Sequence, residues 1–260
     1  MIFEVLEWCL TPASLGARSS GLLAEQIAIR HRAIRCRRAW HTHLESSKKF
    51  VNRALVPGGC VAVLGSGHLR DIDLRYLKSH FERVLLVDVV HPLEVRWLAL
   101  FSRGQVRLVS GDLSGALGLR NPSGSLELEE KLGDALKSAD VLVSGCLLSQ
   151  LALPAVKRWG GSYPEEVVAA AAQRIREFHL ALLQSAPRAV LVTDTARRFG
   201  NDEWTPLFPT LPLTPPAESW VWNMAPPAEH GLKGVGAELR RVEAFVLGSV
   251  PNSTKIFAQS

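Results

Sequence analysis

Residues 61 to 74, VAVLGSGHLRDIDL, run four apolar residues into Gly65-Ser66-Gly67 and then His68. A turn built on two glycines lets a ligand approach backbone N–H groups closely, and a helix that begins there adds its positive end. Asp88 stands 21 residues beyond Gly67, inside LLVDVV. At that distance along a strand-helix-strand unit, a carboxylate can accept both hydroxyls of a ribose. Asp112 in VSGD, Ser144 to Gln150 in SGCLLSQ, and Asp194 in VTD take the corresponding places after later apolar runs. His68 and His91 follow two of the same runs, where an imidazole can serve as a general base near neutral pH.

A dinucleotide fingerprint would be GxGxxG, and its third glycine is missing because position 70 is Arg70. The nicotinamide-dependent oxidoreductase reading therefore survives only on Asp88 and the first two glycines. Other candidates are weaker. Cys146 has apolar neighbours and no evident partner base, so a buried thiol is the simpler reading. His179 lies at the edge of a buried helical stripe, and His41 and His43, two apart on one helix, must point to different sides. Trp204, Trp220, Trp222, Glu229 and His230 fall in or near a late insert that can line an acceptor pocket.

These residues need elements to place them. Cys36, Trp40, Leu44, Ser47, Val51 and Ala54 recur at helical spacing, and Pro57-Gly58-Gly59 stops that helix before the strand CVAVL, 60 to 64. Continuous apolar runs typical of strands buried on both faces follow in RVLLVDVV, QVRLVSGD, ADVLVSGCLL and AVLVTD. Helical segments alternate with them: IDLRYLKSHF, PLEVRWLALFSR, the end of 117 to 139, and a long stripe through Val168, Ala171, Ile175, Phe178 and Leu182. That last helix should start at Pro164, capped by Ser162 or Tyr163. Strands alternating with helices mean a doubly wound parallel α/β sheet. A Pro-rich insert at 197 to 218 precedes two more strands, SWVWNMA and RRVEAFVLG, separated by a Gly-rich loop at 231 to 236.

From about residue 55 to 250 the chain resembles the class I S-adenosylmethionine-dependent methyltransferases. VLGSG matches their glycine loop, LLVDVV their ribose-binding acid, VSGD the acid near the adenine, and ADVLVSGCLLSQL the strand and loop that face the reactive methyl group. The ending resembles that family's sixth and seventh strands. The resemblance implies a mostly parallel seven-stranded sheet with an antiparallel C-terminal hairpin over 55–260, preceded by an N-terminal helical extension over 1–54. It also implies S-adenosylmethionine as cofactor, held by Gly65, Ser66, Gly67, Asp88, Val89, Asp112, Leu113 and Ser144, with His68 and His179 as candidate catalytic bases. No metal site is expected.

The chain departs from the family twice. Where the family has an acid two positions before its first glycine and a further glycine two after the second, this sequence has Val63 and Leu69; Asp71 or His68 can stand in for the missing acid. The acceptor expected is a small molecule, since the insert at 197 to 218 can cover a pocket. The competing reading is a noncatalytic scaffold of the same fold.

That scaffold would bind a partner, or RNA, through an arginine-rich N-terminal helix with five arginines between Arg30 and Arg38, in a chain of net charge +5 and pI near 9.2. No zinc-finger spacing, RNA-binding aromatic signature or basic zipper accompanies them, so nucleic acid is not favoured. Cys9, Cys36, Cys60 and Cys146 form no CxxC pair, which fits reduced thiols and a cytoplasmic protein. MIFEVLEWCL carries two glutamates where a signal peptide is apolar, and no long uncharged run calls for a membrane. Composition, with 47% hydrophobic residues over 260 positions, supplies a full core. Oligomeric state is not legible.

Overall fold

The computed structural model describes residues 2–209, 213–230 and 235–248. Parts of the expected insert and Gly-rich loop, 210–212 and 231–234, lie outside the described residues.

Five parallel strands form the centre: β1 (Gly58–Leu64), β2 (Phe81–Asp88), β3 (Val106–Ser110), β4 (Val141–Gly145) and β5 (Ala189–Phe199). The sheet order is β3-β2-β1-β4-β5-β8-β7, where β7 (Glu218–Ala225) and β8 (Glu238–Leu247) are antiparallel and a two-residue β6 (Thr205–Pro206) pairs with β5. The order 3-2-1-4-5 is the doubly wound arrangement. With the antiparallel hairpin on the β5 side, it is the class I methyltransferase-like fold.

The apolar runs become central strands because alternate residues fill two different layers. Val61, Val63, Val143, Val190 and Val192 face one layer with Trp40, Phe50, Leu77 and Val95. Cys60, Ala62, Leu64, Leu142 and Leu191 face the other with Leu132, Leu136, Leu180 and Leu183. The first layer is supplied by α4 (Arg37–Ala54), α5 (Leu74–His80) and α6 (Leu93–Leu100), the second by α7 (Glu130–Lys137) and α9 (Glu165–Ser185). Three further helices, α1 (Ile2–Leu10), α2 (Leu15–Ser19) and α3 (Leu22–Arg35), precede them. Ala17, Leu23 and Ile27 of that group pack on Val89 and Val90, so the N-terminal helices roof the end of β2.

Several boundaries differ from the sequence reading. The arginine cluster is not one helix: it breaks at Cys36, the junction of α3 and α4. The buried stripe of α4 runs through Trp40, His43, Ser47, Phe50, Val51 and Ala54, with His43 in the place expected for Leu44. Pro164 occupies the N-cap of α9 rather than its first turn, and no side chain caps that end. A helix absent from the expectation, α8 (Leu153–Trp159), fits its Pro154 into the first turn and buries Ala155 and Trp159. Strand β5 continues to Phe199 through a bulge at residues 194–196, taking Arg197 and Arg198 out of the expected insert.

Candidate active site

In this topology the crevice opens between β1 and β4, where the connections diverge to opposite sides. Residues 65–69 leave β1 at that crevice. Gly65 and Gly67 have φ of +68° and +44°, which glycine adopts without cost. Leu69 follows at +55°, a left-handed backbone that its side chain disfavours by about 1–2 kcal/mol. The Gly65 and Ser66 amides donate to the Val87 carbonyl at 2.9 and 3.1 Å. Gly67 N–H donates to Asp88 Oδ2 at 2.8 Å. The glycine turn and the acid that ends β2 are thus one unit. Burial raises the Asp88 pKa against the pull of the Gly67, Val90 and Val89 amides and of His68.

The other cofactor candidates divide. Ser66 is buried, with its hydroxyl oxygen unpartnered. Val89 packs under the N-terminal roof. Asp112 closes its own loop, accepting from Ser114 N at 2.8 Å and Leu117 N at 2.6 Å, and Leu113 is buried in the second core layer. Ser144 lies wholly inside, its Oγ 2.9 Å from His179 Nε2.

Neither candidate base has a free ring facing the crevice. His68 has Glu94 Oε1 2.7 Å from Nδ1 and the Gln26 carbonyl 3.3 Å from Nε2. Both are acceptors, so each contact is a hydrogen bond only when its ring nitrogen carries a hydrogen. The same Gln26 donates its side-chain amide to Val90 O at 2.9 Å. His68 therefore fastens α3 to the glycine loop and to α6. His179 is buried in the second layer, and burial pushes its pKa down to about 4. His91 is buried as well, near Val109 O at 3.2 Å, with a pKa of about 4 chiefly from burial.

A polar cluster gathers instead around Cys146, just past β4. Its Sγ lies 3.7 Å from His43 Nε2, an imidazole neighbour that the sequence reading did not identify. Trp220 Nε1–H donates to His43 Nδ1 at 3.1 Å, and the His43 ring stacks on Trp222 with centroids 4.2 Å apart. Burial holds the His43 pKa at about 4. An indole can only donate, so Nδ1 accepts and the single hydrogen of the neutral ring sits on Nε2, toward sulfur. His43 is not a base for Cys146. Burial first, then Asp71 and Asp194, raise the thiol pKa well above its ordinary value. Cys146 also has φ +48°, a strained backbone of the kind that collects at functional sites.

Asp71 and Asp194 flank that thiol. A Cβ on Gly145 would lie 2.5 Å from Asp71 Oδ2, so the carboxylate sits directly over the end of β4. Asp194 is 4% exposed. Arg240 Nη1 donates to its Oδ2 at 3.2 Å, Oδ1 has no well-formed partner, and burial raises its pKa against Ser149 and Arg240. Arg240 was missed in sequence, and His43 was set aside with His41; the buried stripe of α4 was the one signal available to separate the two.

The remaining candidates lie elsewhere. Trp204 is held between the guanidinium groups of Arg198 and Arg241 at 4.7 and 4.8 Å. Glu229 pairs with Arg35 and lies 3.7 Å from Arg32, while the His230 side chain falls outside the described residues. Among the described residues, no three His, Cys, Asp or Glu side chains converge to hold a metal ion, and no helix is long and apolar enough to cross a membrane.

No family profile and no curated protein matches the chain. Solved structures resemble it at low identity. One is Burkholderia thailandensis 1,6-didemethyltoxoflavin-N1-methyltransferase with bound 1,6-didemethyltoxoflavin and S-adenosylhomocysteine: 18% identical, covering 90% of this chain and 91% of that one, TM-score 0.42. Another is a candidate tRNA methyltransferase of Streptococcus pneumoniae in complex with S-adenosyl-L-methionine, at 13%, 82%, 75% and 0.32. A third is an rRNA methylase of Streptococcus thermophilus, at 12%, 76%, 94% and 0.29. Scores of this size add no weight; the fold rests on the strand order.

Proposed function

We propose that the crevice between β1 and β4 binds S-adenosylmethionine and that the protein is a methyltransferase acting on a small molecule. The observation that carries this reading is the bond from Gly67 N–H to Asp88, which joins the glycine turn to the acid that would receive the ribose hydroxyls. A Cβ on Gly67 would meet only Gly65 O, at 3.8 Å, leaving room above the turn. The lone pairs of Asp88 left by its backbone donors suit a ribose. Bound there, the cofactor supplies a methyl group on a sulfonium. Gly65, Ser66 and Gly67 would carry its central part, and Asp88 with Val89 the ribose; Asp112 shapes the rim through its own loop.

The crevice favours a small acceptor over nucleic acid. Asp71 and Asp194 place carboxyl groups beside Cys146, and such groups repel phosphate when ionised. The protein's contribution to the transfer is alignment of the acceptor with the methyl group.

Calorimetric titration with S-adenosylmethionine, S-adenosylhomocysteine and NAD tests this directly. The expected result is binding of the first two alone, with Asp88→Ala weaker by about tenfold or more through loss of charged hydrogen bonds. Binding of NAD alone, or of none of the three, would overturn it.

A further inference from the structure

We infer that Asp71 is the anchor for an ammonium group in the crevice, the α-ammonium of the cofactor's amino-acid end, in place of the acid that Val63 lacks. The inference rests on the function proposed above. Val63 itself cannot serve, being apolar and buried within the first core layer. Asp71 leaves the glycine loop on the far side of Leu69 and folds back over β4, where its Oδ2 would clash at 2.5 Å with any side chain at position 145. Only glycine there admits the carboxylate.

Its surroundings lack a cation. Asp71 accepts no hydrogen bond from another side chain among the described residues; its own backbone amide is its one bonded donor, and the nearest cationic influence is Lys48, which makes its ion pair with Glu45 at 3.2 Å. The other groups nearby are the neutral Cys146 thiol and the Asp194 carboxylate, the latter sharing Arg240 with Glu238. Asp71 is half-buried, and a partly desolvated carboxylate with no cation paired to it gains from a ligand that brings the opposite charge. A primary ammonium, with three donors and a unit charge, satisfies it.

Two titrations test this. S-adenosylhomocysteine is compared with 5′-methylthioadenosine, which keeps the nucleoside and sulfur but has no amino-acid end, in the wild type and in Asp71→Asn. The expected result is about tenfold or greater weakening of S-adenosylhomocysteine by the substitution, with 5′-methylthioadenosine changed by less than about twofold. Equal weakening of both, or of neither, overturns the assignment. A second comparison needs no variant: wild type should bind the deaminated analogue of S-adenosylhomocysteine, hydrogen replacing the amino group, about tenfold or more weakly than the parent. Equal affinity for those two overturns the assignment while leaving the function intact; absence of binding by any adenosyl ligand rejects both.

Discussion

The indole N–H of Trp220 donates to His43 Nδ1 at 3.1 Å and thereby turns the opposite ring nitrogen, with its hydrogen, toward Cys146. The thiol beside the crevice is held protonated by burial and by two neighbouring carboxyl groups. A thiol in that state is a poor nucleophile. Of the four cysteines only Cys9 is exposed. Titration of the native protein with a disulfide dye at pH 8 should give one fast thiol, abolished by Cys9→Ser. A second fast thiol removed by Cys146→Ser would contradict the arrangement.

Removing the donor tests the same bond by stability. Trp220→Phe keeps most of the ring but strands Nδ1 of a buried histidine, a loss of about 1–3 kcal/mol. Urea denaturation should show a lower midpoint at unchanged slope. In His43→Leu, where no acceptor remains, the Trp220→Phe cost should be smaller.

Three buried histidines make the fold sensitive to acid. His43, His91 and His179 have pKa values of about 4 in the folded protein against 6.5 when free, burial being the main cause for each. The unfolded chain therefore binds more protons between those limits, and the stability held above pH 6.5 is lost as pH falls toward 4, by about 3 kcal/mol per ring. Asp71, Asp88 and Asp194, raised by burial, oppose this: the folded state takes up their protons above the ordinary carboxylate range. His179→Gln leaves those carboxyls in place. Its stability should decline less steeply than that of wild type from pH 6.5 to 4.5, and parallel curves would refute the assignment.

His68 acts between elements rather than on a substrate. Its ring touches Glu94 of α6 and the Gln26 carbonyl of α3, so His68→Ala should loosen the roof over β2. Hydrogen exchange should quicken in residues 22–30 while β1 and β4 stay protected. Uniform protection across both regions would mean that the hydrophobic contacts of Leu23 and Ile27 suffice.

The central strands β1, β2, β4 and β5 were legible because their apolar runs are largely buried on both faces, while the edge strand β3, half-exposed and carrying Arg107, was legible from its place in the alternation of strands and helices. The hairpin followed from resemblance and spacing. What escaped was set by distant contacts. ARRF reads as the start of a polar loop, yet its backbone pairs with β8 and carries β5 to Phe199. His43 looked equivalent to His41 in HTH, and only the packing of α4 on Trp220 and Trp222 separates them. Gly145 gave no sign that Asp71 would lie upon it, because that approach joins loops 74 residues apart, closed only when β1 and β4 pair. Leu69 concealed its left-handed backbone behind a side chain that seldom adopts one.

Trp40 of α4 donates its indole N–H to the carbonyl of Met224, 184 residues later, at 2.9 Å. On a ribosome adding about 5–20 residues per second, α4 emerges roughly 10–40 s before the strand that covers it. Through that interval Trp40, Phe50 and Val51 can only cluster with whatever has already been made. The nascent chain thus carries an incomplete apolar layer for most of its synthesis, and arrest of translation before β7 should yield a chaperone-bound, protease-sensitive species rather than a folded domain.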